Sequence, residues 1–523
     1  MYKWIHQIIQ ELVNAGVREV CVCPGKRNGP LLIALDAYPE IKKFPWYEER
    51  SAAFFALGRV RATGRPVAVV TTSGTAVGEC VPAAMEAYYT GDPLILLTAD
   101  RPSCFRGTGA PQSAEQVGIF GPYAVHDQDL ENGQHCELDT WSLRGPAHIN
   151  VCLEEMQEKR VDSLPELETV GQYSRVPLPH HDLRIVDEFL QRVDYPLVVV
   201  GTLPEQDRQH VIKQLQRLQA PVYLESTSGL RECSDLDSLK IWDISKLWEV
   251  SRDCGYPIDG ILRLGGVPTF RPWRDLETLQ GTVDVLSVSE VPFSGLSWSE
   301  HLQMSLQDLE LKTSKKFDFS EWHRMDRHSC ESQQMLSQEF PAAEPPMIHA
   351  LSKIIPKDSR VYLGNSLPIR EWDMAACTDA PSDVWASRGL NGIDGQISTF
   401  LGLCDPHKKN WGIFGDFTAL YDLAAPWILS QMEEVQIRII VVNNGGGQIF
   451  SRLGLGDRFT NPHGYHFDSI AKLWNMDYVR SEGEFQPTSS NHQLIELIPN
   501  AKSTQEFWSR LKECRDQSIV GVS

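Results

Sequence analysis

A chain of 523 residues with 42% hydrophobic and 23% charged side chains has the composition of a globular protein and the length for about three domains of ~150 residues each. Its formal charge of −20 excludes a general electrostatic affinity for nucleic acid and requires that any anionic ligand meet locally placed cations. No apolar run reaches the ~18–20 residues that span a bilayer, no signal peptide is evident, and the twelve cysteines lack metal-type spacing, so a cytoplasmic protein with free thiols is expected.

Residues 1–15 carry helical periodicity, REVCVCPG (18–25) reads as a strand entering the loop Lys26-Arg27-Asn28-Gly29-Pro30, and LLIALDAYP reads as a helix. A short strand in KKFPWYEER leads to Glu48-Glu49-Arg50, and SAAFFALGRVRATG is a helix closed by glycine. VAVVTTSGTA (67–76) is a strand followed by a turn into another helix, and PLILLTADRP (93–102) and AHINVCL (147–153) complete the strands of a first domain. The proline-bearing stretch 163–182 reads as a linker. Strands at 196–202, 221–227, 260–266 and 283–290 mark a second domain. A polar stretch over about 311–345 reads as a second linker, and strands follow at 360–365, 383–389 and 476–480. Strands alternating with helices predict α/β domains with mainly parallel sheets; no sequence repeat is visible.

Within the third domain, WGIFGD ends in Gly415-Asp416, and IRIIVVNN ends in Asn443-Asn444 before three glycines. The helix-length segment between them makes this a strand, a crossover and a parallel strand, with Pro426 splitting the crossover into two short helices, the second starting at the proline. Both strands then present oxygen-bearing side chains at one carboxyl edge, where open α/β sheets bind ligands. A carboxylate, an amide oxygen and a backbone carbonyl suit a hard cation that keeps its other positions for phosphate and water. A strand-end aspartate that caps a helix, followed by an ordinary Asn-Gly turn, accounts for the same residues, and spacing alone leaves both readings open. There is no P-loop, HExxH or nucleophile elbow, and RGTGAPQ (106–112) lacks the third glycine of a dinucleotide loop.

Gly415-Asp416, 26 intervening residues and Asn443-Asn444 resemble the thiamine-diphosphate fingerprint GD(G)…NN. More narrowly, ten segments resemble the 2-succinyl-5-enolpyruvyl-6-hydroxy-3-cyclohexene-1-carboxylate (SEPHCHC) synthase family of menaquinone biosynthesis. They are CPGKRNGPL, EERSAAFFALG, VAVVTTSGTA, LILLTADRP and GAPQ, then GNSLPIREWD, SRGLNGIDGQISTFLG, GDFTALYDL, VVNNGGGQIF and NPHGYHFD, in the family's order from residue 23 to 468. The resemblance implies a thiamine-diphosphate-binding fold of three α/β domains: pyrimidine-binding over 1–165, central and Rossmann-like over 183–310, and diphosphate-binding over 345–523.

It further implies that Glu49, not Glu48, activates the cofactor by hydrogen-bonding its aminopyrimidine ring, a task suited to a carboxyl of raised pKa. Thr72, Ser73, Gly74, Gly392, Gly415, Phe417, Thr418, Gly447 and Gln448 would line the cofactor, and Ile393 would prop it in a bent shape as part of the catalytic set. Asp416, Asn444 and the Gly446 carbonyl would hold Mg²⁺ or Mn²⁺; Phe417 departs from the commoner third motif glycine. The implied substrates, 2-oxoglutarate and isochorismate, are dicarboxylates, and Arg27, Arg101, Arg370 and Arg388 would meet their carboxylates, Arg388 also as a catalytic residue. Gln112 and Ser366 would be neutral donors and Ile449 and Phe450 an apolar wall. Lys26, also counted as substrate-binding, replaces an expected serine, Pro111 stands where an asparagine is sometimes found, and Arg271 is a candidate contact from the middle domain. The implied reaction decarboxylates 2-oxoglutarate and adds the succinyl-semialdehyde carbanion to isochorismate in a conjugate, Stetter-like addition, within a homodimer or homotetramer whose active site lies at the subunit interface. Another thiamine-diphosphate-dependent 2-oxoacid decarboxylase or carboligase, and a catalytically silent relative, stand as alternatives.

Overall fold

Runs such as Val67–Thr71 and Leu94–Asp100 are buried at every position, so their sheet needs cover on both faces, as parallel sheets do. The computed structural model, which describes residues 1–154, 164–168, 172–253, 255–453, 457–483 and 485–520, meets that need three times over. The first sheet joins β1 (Glu19–Val22), β2 (Lys42–Pro45), β3 (Val67–Thr71), β4 (Leu94–Asp100), β5 (His126–Leu130) and β6 (Ala147–Cys152) in the order β2-β1-β3-β4-β6-β5. The second joins β7 (Pro196–Val200), β8 (Val222–Leu224), β9 (Lys240–Ile241), β10 (Gly260–Leu264), β11 (Asp284–Ser289) and β12 (Glu300–Gln303) in the order β12-β11-β10-β7-β8-β9. The third joins β13 (Arg360–Leu363), β14 (Asp383–Trp385), β15 (Asn410–Gly415), β16 (Ile437–Val442), β17 (Asp477–Ser481) and β18 (His492–Leu497) in the order β14-β13-β15-β16-β18-β17. Every neighbouring pair is parallel.

The second sheet has the strand order of the dinucleotide-type doubly wound fold, and the first and third share a different order. Strand order reverses at β1/β3, at β7/β10 and at β13/β15, and such switch points open crevices at carboxyl ends. Contacts group the chain into two compact units. One holds Met1–Pro177, Gly389–Pro406 and Thr418–Val435; the other holds Leu178–Arg388, His407–Phe417 and Gln436–Ser523.

In the first unit, the helix Glu49–Thr63 packs on the helix Gln396–Leu403 at backbone distance. A Cβ on Gly402 would sit 2.1 Å from the Phe55 carbonyl oxygen, and one on Gly58 would sit 2.1 Å from that of Thr399. A carbonyl cannot swing aside as a side chain can. Gly402→Ala is therefore expected to destabilise by about 1–3 kcal/mol, seen as a lowered thermal midpoint. An unchanged midpoint would show that the two helices can separate freely.

Four strands escape the hydrophobic pattern. β5 (HDQDL), β9 and β12 are polar or very short and lie at or next to sheet edges, whereas β18 lies inside the third sheet with Gln493 and Glu496 fully buried in it. The polar stretch at 311–345 is no linker: it contains the 20-residue helix Ser320–Glu339. That helix buries Asp326, Ser329 and Ser332 beside Trp322 and Leu336, and Asp326 accepts from the backbone N–H groups of Trp242 and Asp243. Within the other expected linker, residues 163 and 169–171 lie outside the described residues, and the described ones are irregular but tethered. Glu168 N–H donates to Gln10, and the Tyr173 hydroxyl to Glu11. The crossover after β15 is split as expected, into the helix Asp416–Tyr421 and a 3-10 segment, Ala425–Gln431, with Pro426 in its first turn.

Candidate active site

Two adjacent glutamates open the helix Glu49–Thr63, and the fold separates their work. Glu48 is the N-cap: its carboxylate accepts from the N–H groups of Arg50 (3.1 Å) and Ser51 (2.8 Å). Glu49 takes no part in the cap. Burial raises its carboxyl above the usual range, its own backbone N–H opposes the rise, and the charges of Glu48 and Glu79 add to it.

Three further loops of the first unit meet at the β1/β3 switch point and beside it. After β1, the fully buried Asn28 ties its loop by accepting from Gly25 N–H (2.8 Å) and donating to the Cys23 carbonyl (2.9 Å), which leaves Lys26 exposed and sends Arg27 to the Leu153 carbonyl (2.9 Å). Gly25 lies against Thr72, whose side chain would be 2.5 Å from any Cβ there. After β3, Thr72 and Ser73 are buried, and Gly74 turns with φ +87° against Gln112, itself left-handed at φ 55° and exposed. Arg101, at the end of β4, donates to the Pro111 carbonyl (3.0 Å) and lies over Phe105. A residue not singled out in the sequence holds this arrangement: the fully buried Gln116 accepts from Gly74 N–H (2.8 Å) and donates to Asn150 (2.9 Å). Gly392 and the half-buried Ile393 also belong to this unit, in a loop pinned where Gly389 and Leu390 donate N–H to Glu86. Thr418, buried, lies in the unit as well.

In the second unit, β15 and β16 pair in register from Asn410↔Ile437 to Gly415↔Val442, so Asp416 and Asn443-Asn444 leave the sheet side by side. Asp416 accepts from Phe417 N–H (2.7 Å) and Gly446 N–H (2.9 Å), and His463 Nε2 stands 3.2 Å from the same carboxylate. Burial raises the Asp416 carboxyl, against those donors. The two asparagines differ as the two glutamates do. Asn443 is consumed by the fold: it donates to the Tyr465 carbonyl (2.8 Å) and to Glu496 (2.6 Å) and accepts from Gly445 N–H (3.3 Å). Asn444 donates to Glu344, and its Oδ1 is buried with no hydrogen-bond partner. Gly446 needs its glycine, since at φ +139° a Cβ would meet the Thr460 carbonyl at 2.5 Å; its own carbonyl accepts from Gln448 N–H (2.8 Å) and keeps a second lone pair. Gly447 backs onto Phe450, which is exposed, with Ile449 half-buried before it.

These donors fit a hard divalent cation: a carboxylate, an amide oxygen with nothing else to bond, and a backbone carbonyl. Among the described residues no three His, Cys, Asp or Glu side chains gather as an all-protein cage, so a cation here would lean on oxygen from its ligand. Glu496, on a strand the sequence hid, accepts from Tyr478, Asn443, His466 and Phe467 N–H, and although burial raises its carboxyl, those donors bring it below the usual range.

The remaining residues gather at the carboxyl ends of the second and third sheets. Ser366 (φ 75°) follows β13, and its carbonyl accepts from Arg370, whose guanidinium is shifted down by burial. Arg388, buried after β14, donates to Asn365. Two buried carboxyls share their field. Glu225 accepts from Thr269 and is pushed up to about 7 by burial and by Asp373, with Arg388 opposing; Asp373 accepts from Ser226 and is also raised by burial. Arg271 is mostly exposed, 3.6 Å from Asp275 one helical turn away.

The family model described as "Thiamine pyrophosphate enzyme, N-terminal TPP binding domain" matches residues 3–119. Over nearly its whole length the chain is similar to proteins named 2-succinyl-5-enolpyruvyl-6-hydroxy-3-cyclohexene-1-carboxylate synthase. It is 43% identical over 516 residues to that of Bdellovibrio bacteriovorus, covering 96% of this chain and 97% of the relative. For Akkermansia muciniphila the figures are 36% over 541 residues, covering 97% and 98%. For Bacillus cytotoxicus they are 29% over 538 residues, covering 92% and 89%.

Proposed function

The chain belongs to the SEPHCHC synthase family of thiamine-diphosphate-dependent enzymes in menaquinone biosynthesis, and from that premise we propose that it decarboxylates 2-oxoglutarate and adds the four-carbon unit to isochorismate by conjugate addition. The observation that carries the assignment of residues is the division of labour within each adjacent pair. Glu48 and Asn443 are spent on structure, whereas Glu49 and the Asn444 oxygen are left for a ligand.

When bound, thiamine diphosphate supplies the nucleophilic carbon and the electron sink for decarboxylation. The residues of this chain position and tune. Glu49 holds or shares a proton at the cofactor's aminopyrimidine ring, for which its raised pKa suits it. Thr72, Ser73 and Gly74 present buried backbone and hydroxyl groups at the carboxyl end of β3. Asp416, Asn444 and the Gly446 carbonyl would hold Mg²⁺ or Mn²⁺, and Gly415, Phe417, Thr418, Gly447 and Gln448 would be cofactor-binding residues. Arg27, Arg101, Arg370 and Arg388 would meet the substrate carboxylates, helped by Lys26, Gln112 and Ser366, while Ile393 would prop the cofactor in its bent shape and Ile449 and Phe450 would form an apolar wall. In this reading the sheets at 1–165 and 345–523 serve the pyrimidine and the diphosphate, and 183–310 is the central domain.

The reading includes self-association as a homodimer or homotetramer with the active site at the subunit interface. Its support is an exposed aromatic face near Glu49: Tyr47 and Trp427, 54% and 40% exposed, meet edge to face, with Tyr421 and Leu423 exposed beside them in the sequence. It also includes a cytoplasmic location, in keeping with free thiols at all eleven described cysteines; no helix among the described residues is long and apolar enough to cross a membrane.

Purified protein supplied with thiamine diphosphate, Mg²⁺, 2-oxoglutarate and isochorismate is expected to release CO₂ and consume isochorismate in equal amounts. If 2-oxoglutarate is not turned over with or without isochorismate, the assignment fails.

A further inference from the structure

The amide of Asn444 has two ends, and the fold fixes which is which. Its Nδ2 lies 3.1 and 3.0 Å from the two carboxylate oxygens of Glu344. A carboxylate offers acceptors, so the end facing it is the NH₂ group and not the oxygen. Oδ1 is thereby turned away from Glu344, and it is the buried oxygen that has no hydrogen-bond partner. Glu344 itself is firmly placed. It is 2% exposed, opens the helix Glu344–Ile354 ahead of Pro345 and Pro346, and donates its backbone N–H to Thr504 Oγ1 at 3.0 Å.

We propose that Glu344 is a positioning residue for the cation site, holding the Asn444 amide in the one orientation that offers Oδ1 to a divalent metal. Asp416 needs no such guide, because either oxygen of a carboxylate is a ligand. An amide does need one: turned by 180° it would offer N–H hydrogens to a cation. Glu344 touches the ligand of the metal and acts only through it, as outer-shell partners do at other metal sites. The inference rests on the proposed reading of Asp416 and Asn444 as cation ligands.

The test is Mn²⁺ binding to the full-length protein with thiamine diphosphate present, followed by the electron paramagnetic resonance of free Mn²⁺, with the ligand-free thermal midpoint measured in parallel. Glu344→Ala is expected to weaken Mn²⁺ by roughly 10- to 100-fold, and Glu344→Gln, which keeps a carbonyl acceptor for Nδ2, by no more than about threefold. A merely structural Glu344 would lower the midpoint of both variants and leave Mn²⁺ affinity alone. Should Glu344→Ala not fold, exchanging the partners decides the matter. Asn444→Asp alone sets carboxylate against carboxylate, and adding Glu344→Gln to it restores a donor-acceptor pair and is expected to recover Mn²⁺ binding. Unchanged affinity in Glu344→Ala, or no recovery in the exchanged pair, overturns the inference. Failure of the cation reading looks different: the unaltered protein would not bind Mn²⁺, or Asp416→Asn would bind it equally well.

Discussion

Glu49→Gln is expected to lower turnover by about 10²- to 10⁴-fold in protein saturated with thiamine diphosphate and Mg²⁺, while the cofactor still binds. The substitution keeps the size and removes the proton that a carboxyl of raised pKa can hold at a ring nitrogen. Glu48 is the control one residue away. Its carboxylate caps the helix, so Glu48→Ala is expected to cost about 0.5–2 kcal/mol of stability and to leave most of the turnover per folded molecule. Steady-state rates of both variants, each with its thermal midpoint, decide between them. Turnover lost with Glu48→Ala and kept with Glu49→Gln would reverse the assignment.

Removing the carboxylate of Asp416 is expected to cost more metal affinity than any outer-shell change. Asp416→Asn is expected to weaken Mn²⁺ by more than the roughly 10- to 100-fold that an outer-shell partner is worth, because a charged ligand is lost as well as an oriented one. It also loses part of the geometry that makes the turn, since one carboxylate oxygen receives Gly446 N–H and the other Phe417 N–H. Asn443→Ala supplies the contrast. It frees Glu496 and the Tyr465 carbonyl from a partner without deleting a proposed ligand, so its main effect is expected on thermal stability. Titration of free Mn²⁺ with both variants checks the ordering, and equal Mn²⁺ losses in the two would make the turn, not the carboxylate, the source of binding.

Much of this was legible because strand ends were. The runs ending at Asp416 and Asn444 are apolar and β-branched, and such runs stop where the sheet stops, which is where parallel sheets keep their ligands. What stayed hidden is polar and non-local. Gln116 meets Gly74 across 42 positions, and Glu344 meets Asn444 across 100; a buried glutamine or glutamate leaves no periodic mark. The helix Ser320–Glu339 and the strand of Glu496 are hidden for the same reason, since both bury polar side chains that a hydrophobic pattern scores as surface. The preference for Glu49 over Glu48, and for Asn444 over Asn443, came from resemblance alone. In the structure the other member of each pair is engaged by the fold, Glu48 in the helix cap and Asn443 with Glu496 and the Tyr465 carbonyl, which is consistent with that preference.

The common strand order of the first and third sheets has a consequence for how the chain can be re-engineered. Counted within its own sheet, the exit of the first strand carries Lys26 and Arg27 in one and Ser366 in the other, and the exit of the second carries Glu49 in one and Arg388 in the other. The third exit carries Thr72–Gly74 or Asp416, and the fourth Arg101 or Asn444. Under the proposed roles, chemistry would be assigned by address: the strand order specifies numbered sockets, and each of the two sheets carries different residues in them. A transplant that respects the socket number, moving an exit loop with its own bracing residue, has a register waiting for it, whereas one that ignores the number does not.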